Sequence, residues 1–332
     1  MRIGGANSDS PSLVEQLLDE FFPFASPRSP LPDATPAEGP DPYGNPDPEW
    51  LRVDWREHLR QCDVDGGRVN YVEMGPASGA ALVLVHGLAG AWQNWLENIP
   101  HFAREHRVIA LDLPGFGQSP MPDWEVSVEA YGSFLHQFCD AVDVEVCTLV
   151  ANSMGGFVSA EAAIRQPSRF EKLVLVSAAG ISHARMRRQP AEVTARMSLA
   201  SAPLLLKLEE RALRRPRLRQ ATFAGLFYAP RWLRPELIYE FFQHGTGKPG
   251  LVPAVRGLIG YDILDRLEEV EVPTLIVWGR DDHVVPPNDA LGYGERLQNS
   301  RTVIFDKTGH LPMAERPVRF NRVLETFLRS TS

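Results

Sequence analysis

Apolar positions fall into two kinds of pattern along the chain. The first is a set of short, unbroken apolar runs, each ending in Gly, Asp, Ser or His. They are ALVLVHG (81–87), RVIALDLPG (107–115), VCTLVANS (146–153), KLVLVSAAG (172–180), PTLIVWGRDD (273–282) and RTVIFDKTGH (301–310). Runs of this length and composition predict buried parallel strands. The second pattern has apolar residues returning at helical spacing, over 92–104, 125–142, 155–166, 287–297 and 317–329. Upstream, WREHLRQCDVDG and RVNYVEMG flank Gly66-Gly67 and predict a hairpin. Strands alternating with helices give an α/β class. The expected architecture is a mostly parallel eight-stranded sheet with helices on both faces. In such sheets the active site lies at the carboxyl ends of the strands.

Two stretches break the rhythm. The interval between KLVLVSAAG and PTLIVWG is too long for a plain crossover and carries helical patterns of its own. It predicts an inserted helical cap over residues 181–261, with the core in 51–180 and 262–332. The other stretch is the N-terminal arm, residues 1–50. Residues 12–22, SLVEQLLDEFF, predict an amphipathic helix with Ser12 and Glu15 at capping-box spacing. Residues 23–48 hold nine prolines, a density that excludes regular elements and predicts an extended connection.

Composition narrows the function classes. The net charge of −8 argues against a nucleic-acid partner, since phosphate binding needs a basic field. Cys62, Cys139 and Cys147 are odd in number and include no CxxC pair, which points to reduced thiols and a cytoplasmic setting. No signal-peptide pattern is read near Met1, and no apolar stretch approaches the length of a transmembrane segment.

The chemistry lies just past the strand ends. Ser153 sits in VANSMGG, between a strand-like run and a helix-like one. Taken alone, the heptapeptide reads as a turn serine. A strained strand–turn–helix bearing a nucleophile also needs small neighbours, and Ala151 and Gly155 provide them. WGRDDHVVP places Asp281 and Asp282 past another strand, and KTGHLPMAERP places His310 past the last. Serine, acid and histidine therefore occur in the order used by one large group of hydrolytic enzymes. After ALVLV, the His86-Gly87 pair opens a loop in which backbone N–H groups can turn inward. The N–H groups of Leu88 and Met154 are the candidate oxyanion donors. His86 reads as a structural residue of that loop.

With HGLAG, DLPGFGQS, ANSMGG, WGRDDHVVP and GHLPMAERP in view, the chain from about Arg52 to Leu328 resembles the α/β-hydrolase fold superfamily. The resemblance implies Ser153 as nucleophile, His310 as base and Asp282 as acid. Asp282 is preferred to Asp281 because the family's acid falls in a Gly-x-x-Asp pattern, here beginning at Gly279. It implies acyl transfer through an acyl-enzyme, with no cofactor and no metal. A serine at the elbow argues against the aspartate-dependent dehalogenases and epoxide hydrolases of this fold.

The expected activity is hydrolysis of small to medium carboxylic esters, by a serine carboxylesterase with a small-molecule substrate. The alternatives are a carbon–carbon bond hydrolase of aromatic ring-cleavage products and an interfacial lipase. The NSMGG elbow is similar to that of the carbon–carbon hydrolases. Those enzymes usually carry Trp after the histidine, whereas Leu311 follows His310 here. Candidate pocket residues are Trp92, Trp95, Phe223, Phe227 and Leu311. Residues 180–260 carry fourteen Lys or Arg against five acidic residues, an excess that would suit either the acidic body, an anionic substrate or an anionic interface.

Overall fold

Residues 31–185 and 188–330 are described in a computed structural model. The expected helix over 12–22 and the first part of the arm lie outside the described residues. The sheet opens with a hairpin, β1 (Leu59–Val64) and β2 (Gly67–Met74). Its turn uses Asp65 and Gly66, both at positive φ (49° and 78°), the geometry that a tight two-residue hairpin turn requires.

The rest alternates strand and helix. In order come β3 (Ala81–Val85), α1 (Ile99–Phe102), β4 (Arg107–Leu111), α2 (Val128–Ala141), β5 (Cys147–Asn152), α3 (Met154–Arg165) and β6 (Phe170–Val176). Four helices follow before the next strand: α4 (Arg188–Leu213), α5 (Pro216–Phe223), α6 (Pro235–Gly245) and α7 (Leu251–Leu258). Then come β7 (Thr274–Gly279), α8 (Asn288–Arg296), β8 (Ser300–Phe305), α9 (Pro312–Glu315) and α10 (Pro317–Arg329). The eight strands form one sheet in the order β1-β2-β4-β3-β5-β6-β7-β8. β1 and β2 pair antiparallel, β2 meets β4 antiparallel, and every other neighbouring pair is parallel.

The unbroken apolar runs serve two faces at once. Val83, Leu149, Leu175 and Ile276 enter a core layer with Phe134 of α2, Phe157 of α3 and Tyr293 of α8. Their neighbours Leu82, Leu84, Val150, Val174 and Leu275 enter a second layer with Ile99 of α1 and Phe320 of α10. Side chains of a strand alternate between faces, so a strand covered on both sides must be apolar throughout. Each such residue, fully buried, contributes about 1.5–3 kcal/mol.

One element departs from expectation. The helical pattern over 92–104 resolves into a single 3-10 turn, Trp92–Trp95, and the four-residue α1. Pro100 lies at the start of α1 and has no N–H for a bond to the preceding turn, so one continuous helix cannot form. The other helices begin and end within a few residues of their patterns. Ser127 caps α2 by accepting the Ala130 N–H at 3.1 Å.

The described part of the arm holds no helix or strand from residue 31 to 48. It lies along α10 and the edge of β8. Thr35 N–H donates to Ile304 O at 2.8 Å, and Ile304 N–H donates to Thr35 Oγ1 at 3.0 Å. Arg316, Arg319 and Arg322, three apart on one stripe, donate to the carbonyls of Asp41, Thr35 and Pro40.

Candidate active site

Register decides what meets at the carboxyl edge of the sheet. Val85 of β3 pairs with Ala151 of β5, and Asn152 pairs with Val176 of β6. Gly279 of β7 pairs with Phe305 of β8. The segments leaving these strands are therefore neighbours, although they are far apart in sequence.

Ser153 joins β5 to α3 with φ 54° and ψ −119°, a strained backbone for a residue bearing Cβ. The strain is held from several sides. Ser153 N–H donates to Val176 O at 2.9 Å, and Ser153 O accepts from Phe157 N–H and Ala179 N–H. The helix must approach closely, and Gly155 permits it. A Cβ there would stand 2.5 Å from His86 O and 2.6 Å from Val85 O. On the opposite side, a Cβ on Gly87 would stand 2.9 Å from the Ser153 Cβ. The His86-Gly87 loop thus lies directly against the serine.

That loop is fixed by His86. Its Nδ1 bonds Gly87 O at 2.7 Å, and its Nε2 accepts from Leu113 N–H at 2.9 Å. Nδ1 therefore carries the proton. Burial pushes this imidazole below its ordinary pKa, with Asp112 opposing the shift. Asp112 is itself buried and accepts from Trp92 N–H, Gln118 N–H and the Asn70 side chain. Among the described residues, the N–H groups of Leu88 and Met154 donate to no protein acceptor. Met154 opens α3, where an N–H has no partner within the helix.

His310 follows β8 and faces Asp282. His310 Nδ1 bonds Asp282 Oδ2 at 2.8 Å, and Asp282 Oδ1 accepts Val284 N–H at 2.8 Å and Val285 N–H at 2.9 Å. A carboxylate can only accept here, so Nδ1 holds the proton and Nε2 keeps a free lone pair. The neighbouring Asp281 meets the histidine segment through its backbone, its N–H donating to Thr308 O at 2.9 Å. Burial pushes its carboxyl above the ordinary value. Ser153, Asp282 and His310 are 8%, 5% and 4% exposed, so the site is closed over. No hydrogen bond joins Ser153 Oγ to the His310 ring among the described residues. Such contacts are often long before substrate binds.

The family follows from this frame and from comparison with other chains. A family model described as the alpha/beta hydrolase fold matches residues 80–317. The chain belongs to that family. The 2-hydroxy-6-oxo-6-phenylhexa-2,4-dienoate hydrolase of Comamonas testosteroni is 31% identical over 284 residues, covering 82% of this chain and 94% of that one. A thermophilic esterase from Thermogutta terrifontis, solved with malate bound, superposes with a TM-score of 0.66 at 25% identity, covering 82% of this chain and 98% of its own. A bacterial membrane phospholipase A superposes with a TM-score of 0.64 at 26% identity, covering 81% and 85%. This alpha/beta hydrolase is thus similar to a dienoate hydrolase, an esterase and a phospholipase A alike. No helix among its described residues is long and apolar enough to cross a membrane.

The five candidate pocket residues share one buried layer. Trp92 packs on Trp55 with ring centroids 5.0 Å apart, and Trp95 packs on Phe320 at 6.4 Å. Phe223 packs on Phe242 at 4.7 Å and Phe227 on Phe241 at 6.0 Å. These contacts give all four aromatic residues a packing role. Of the five, Phe227 and Leu311 come nearest the histidine in the chain path. Phe227 follows Leu226, whose carbonyl accepts the His310 N–H at 2.9 Å, and Leu311 follows His310 itself.

Three residues of the site escaped the sequence reading. Asn152 Nδ2 donates to Val176 O at 3.0 Å and to His310 O at 3.4 Å, tying the elbow to the histidine segment. His183 stands where the chain enters the β6–β7 insertion, and burial pushes its imidazole down to about 4, with His310 adding to the shift. Glu315 is wholly buried behind His310. Asn152 and Glu315 had a visible signal, in ANSMGG and in GHLPMAERP, and His183 had none.

Proposed function

We propose that the protein is a serine hydrolase of carboxylic esters, with Ser153 as nucleophile, His310 as general base and acid, and Asp282 as the group that orients His310. The observation that carries this reading is the buried 2.8 Å His310–Asp282 pair at the sheet edge shared with the strained Ser153 elbow.

Substrate would place its carbonyl carbon over Ser153 Oγ. His310 Nε2 takes the hydroxyl proton as Oγ forms its bond to carbon. The carbonyl oxygen, now negative, accepts from the N–H groups of Leu88 and Met154. A removed oxyanion donor costs about 2.7–4 kcal/mol in enzymes of this chemistry. The C–O bond to the alcohol then breaks, and the alkoxide takes the proton from His310. Water enters, gives a proton to Nε2, and attacks the acyl carbon. The acid leaves, and Ser153 regains its proton. Asp282 keeps Nδ1 protonated throughout and stabilises the imidazolium.

A carbon–carbon reading has an observation of its own, the Comamonas testosteroni dienoate hydrolase at 31% identity. Leu311 after His310 supports the ester reading against it. Hydrolysis of p-nitrophenyl esters from acetate to palmitate, by wild type and Ser153→Ala, tests both. Turnover of short and medium esters that Ser153→Ala abolishes is the expected result. Turnover of a ring-cleavage dienoate without any ester would overturn it. Cleavage only of long chains above their solubility would instead mark an interfacial lipase.

A further inference from the structure

Glu315 is wholly buried, and its four donors come from separate parts of the chain. Its Oε1 accepts the Gly309 N–H at 2.9 Å and, at the edge of hydrogen-bond range, the Leu311 N–H at 3.4 Å. These are the residues on either side of His310. Its Oε2 accepts the Tyr43 hydroxyl at 2.6 Å and the Tyr228 N–H at 2.8 Å. Tyr43 oxygen in turn accepts the Ala229 N–H at 2.7 Å. One carboxyl group thus joins three parts of the chain: the proline-rich arm, the β6–β7 insertion and the segment that carries His310.

The partners are all donors, and the ionised carboxylate, with two bare oxygens, can accept from all four at once. Burial works against that form and pushes the carboxyl up to about 8, while the donors pull it back. Tyr43 is suited to its place. Burial and the Glu315 charge both push its phenol upward, so the hydroxyl remains a donor. Arg316 lies over the Tyr43 ring at 4.9 Å, and Gly44 N–H donates to Glu315 O at 2.7 Å. The His310 N–H goes to Leu226 O, in the same insertion segment that Tyr43 and Glu315 hold at residues 228 and 229.

We infer that Tyr43 and Glu315 form a positioning unit for His310, through which the proline-rich arm sets the base against Ser153 and seats the insertion beside it. The inference rests on the reading of His310 as the base. Glu315 is a positioning residue, since it touches the backbone around His310 and not the reacting atoms. Misplacing a catalytic group by about 1 Å costs about a hundredfold in rate. Removal of the Tyr43 hydroxyl leaves Glu315 Oε2 and the Ala229 N–H each short of a partner, which loosens the segment from behind.

The test uses the full chain with Tyr43→Phe, which keeps the ring under Arg316 and deletes only the hydroxyl. Arg322→Ala is the control, since it removes the arm's contacts at Glu38 and Pro40 without touching Glu315. For Tyr43→Phe we expect kcat on p-nitrophenyl butyrate to fall about tenfold to a hundredfold with KM unchanged. We expect Arg322→Ala to lower the melting temperature and leave kcat at the wild-type value. In parallel, the downfield proton resonance of His310 Nδ1 should exchange with water faster in Tyr43→Phe. A wild-type kcat in Tyr43→Phe, or a rise in KM alone, overturns the inference. If wild type cleaves no ester, the ester reading fails, and the resonance decides the inference by itself. An unchanged exchange rate then refutes it.

Discussion

His310 and Asp282 leave different strands and meet through Nδ1 and Oδ2 at 2.8 Å, both side chains almost wholly buried. The two remaining lone-pair directions of interest on Asp282 Oδ1 are taken by the N–H groups of Val284 and Val285. The carboxylate is locked by the turn it belongs to, and the imidazole is locked by the carboxylate.

Asp282→Asn would place an amide where only an acceptor serves, and favour the wrong tautomer of His310. In the serine-protease case this costs about 10⁴-fold in kcat, and a loss of that order is expected here. Asp281→Asn should leave kcat near wild type, because Asp281 meets the histidine segment through its backbone. Steady-state kinetics of the two variants on one ester compare them directly. Equal losses would contradict the assignment.

Gly155 sits where α3 passes the end of β3. A methyl group there would stand 2.5 Å from His86 O and 2.6 Å from Val85 O, backbone atoms of a central strand end. Gly155→Ala should destabilise by about 1–3 kcal/mol or more, as overpacking in a rigid site does. Urea unfolding reads the loss, and a wild-type midpoint would show that the elbow can shift.

Ser153 holds φ 54° because its surroundings require it. Conformations of this kind cost on the order of 1–3 kcal/mol. Ser153→Gly relieves that cost, whereas Ser153→Ala keeps it. Both variants should be inactive on esters. The glycine variant should melt at the higher temperature, despite the greater chain entropy that glycine gives the unfolded state. Calorimetry of the pair at one pH and salt concentration checks the order.

Acid should weaken the fold through its buried imidazoles. Burial lowers the pKa of His183 from 6.5 to about 4, and that of His86 in the same direction. The folded state therefore binds fewer protons than the unfolded state. Their contribution is present above pH 6.5 and is lost as pH falls toward about 4. In His183→Gln, stability measured by urea unfolding should fall less steeply across that window. Identical slopes for variant and wild type would show that His183 does not titrate there.

The strand and helix order, the hairpin at Gly66 and the helical interval between β6 and β7 all stood open in the sequence. They depend on local apolar spacing and on turn residues, which neighbouring positions carry. The helix pattern over 92–104 failed because Pro100 acts on backbone bonding, which apolar spacing does not register. Ser153, Asp282 and His310 stood out as candidates because each follows its own strand, and parallel strands deliver their ends to one edge. The sequence also held Tyr43 and Glu315, but no spacing pairs residues 272 positions apart. Their contact exists only once β8, the insertion and the arm have packed together. The same holds for the register that sets Gly87 against Ser153, and for Asn152 reaching His310 O. Local pattern determined which elements form and which side chains sit at their ends. The tertiary structure alone decided which ends touch, because burial and hydrogen-bond satisfaction are settled by the whole fold at once.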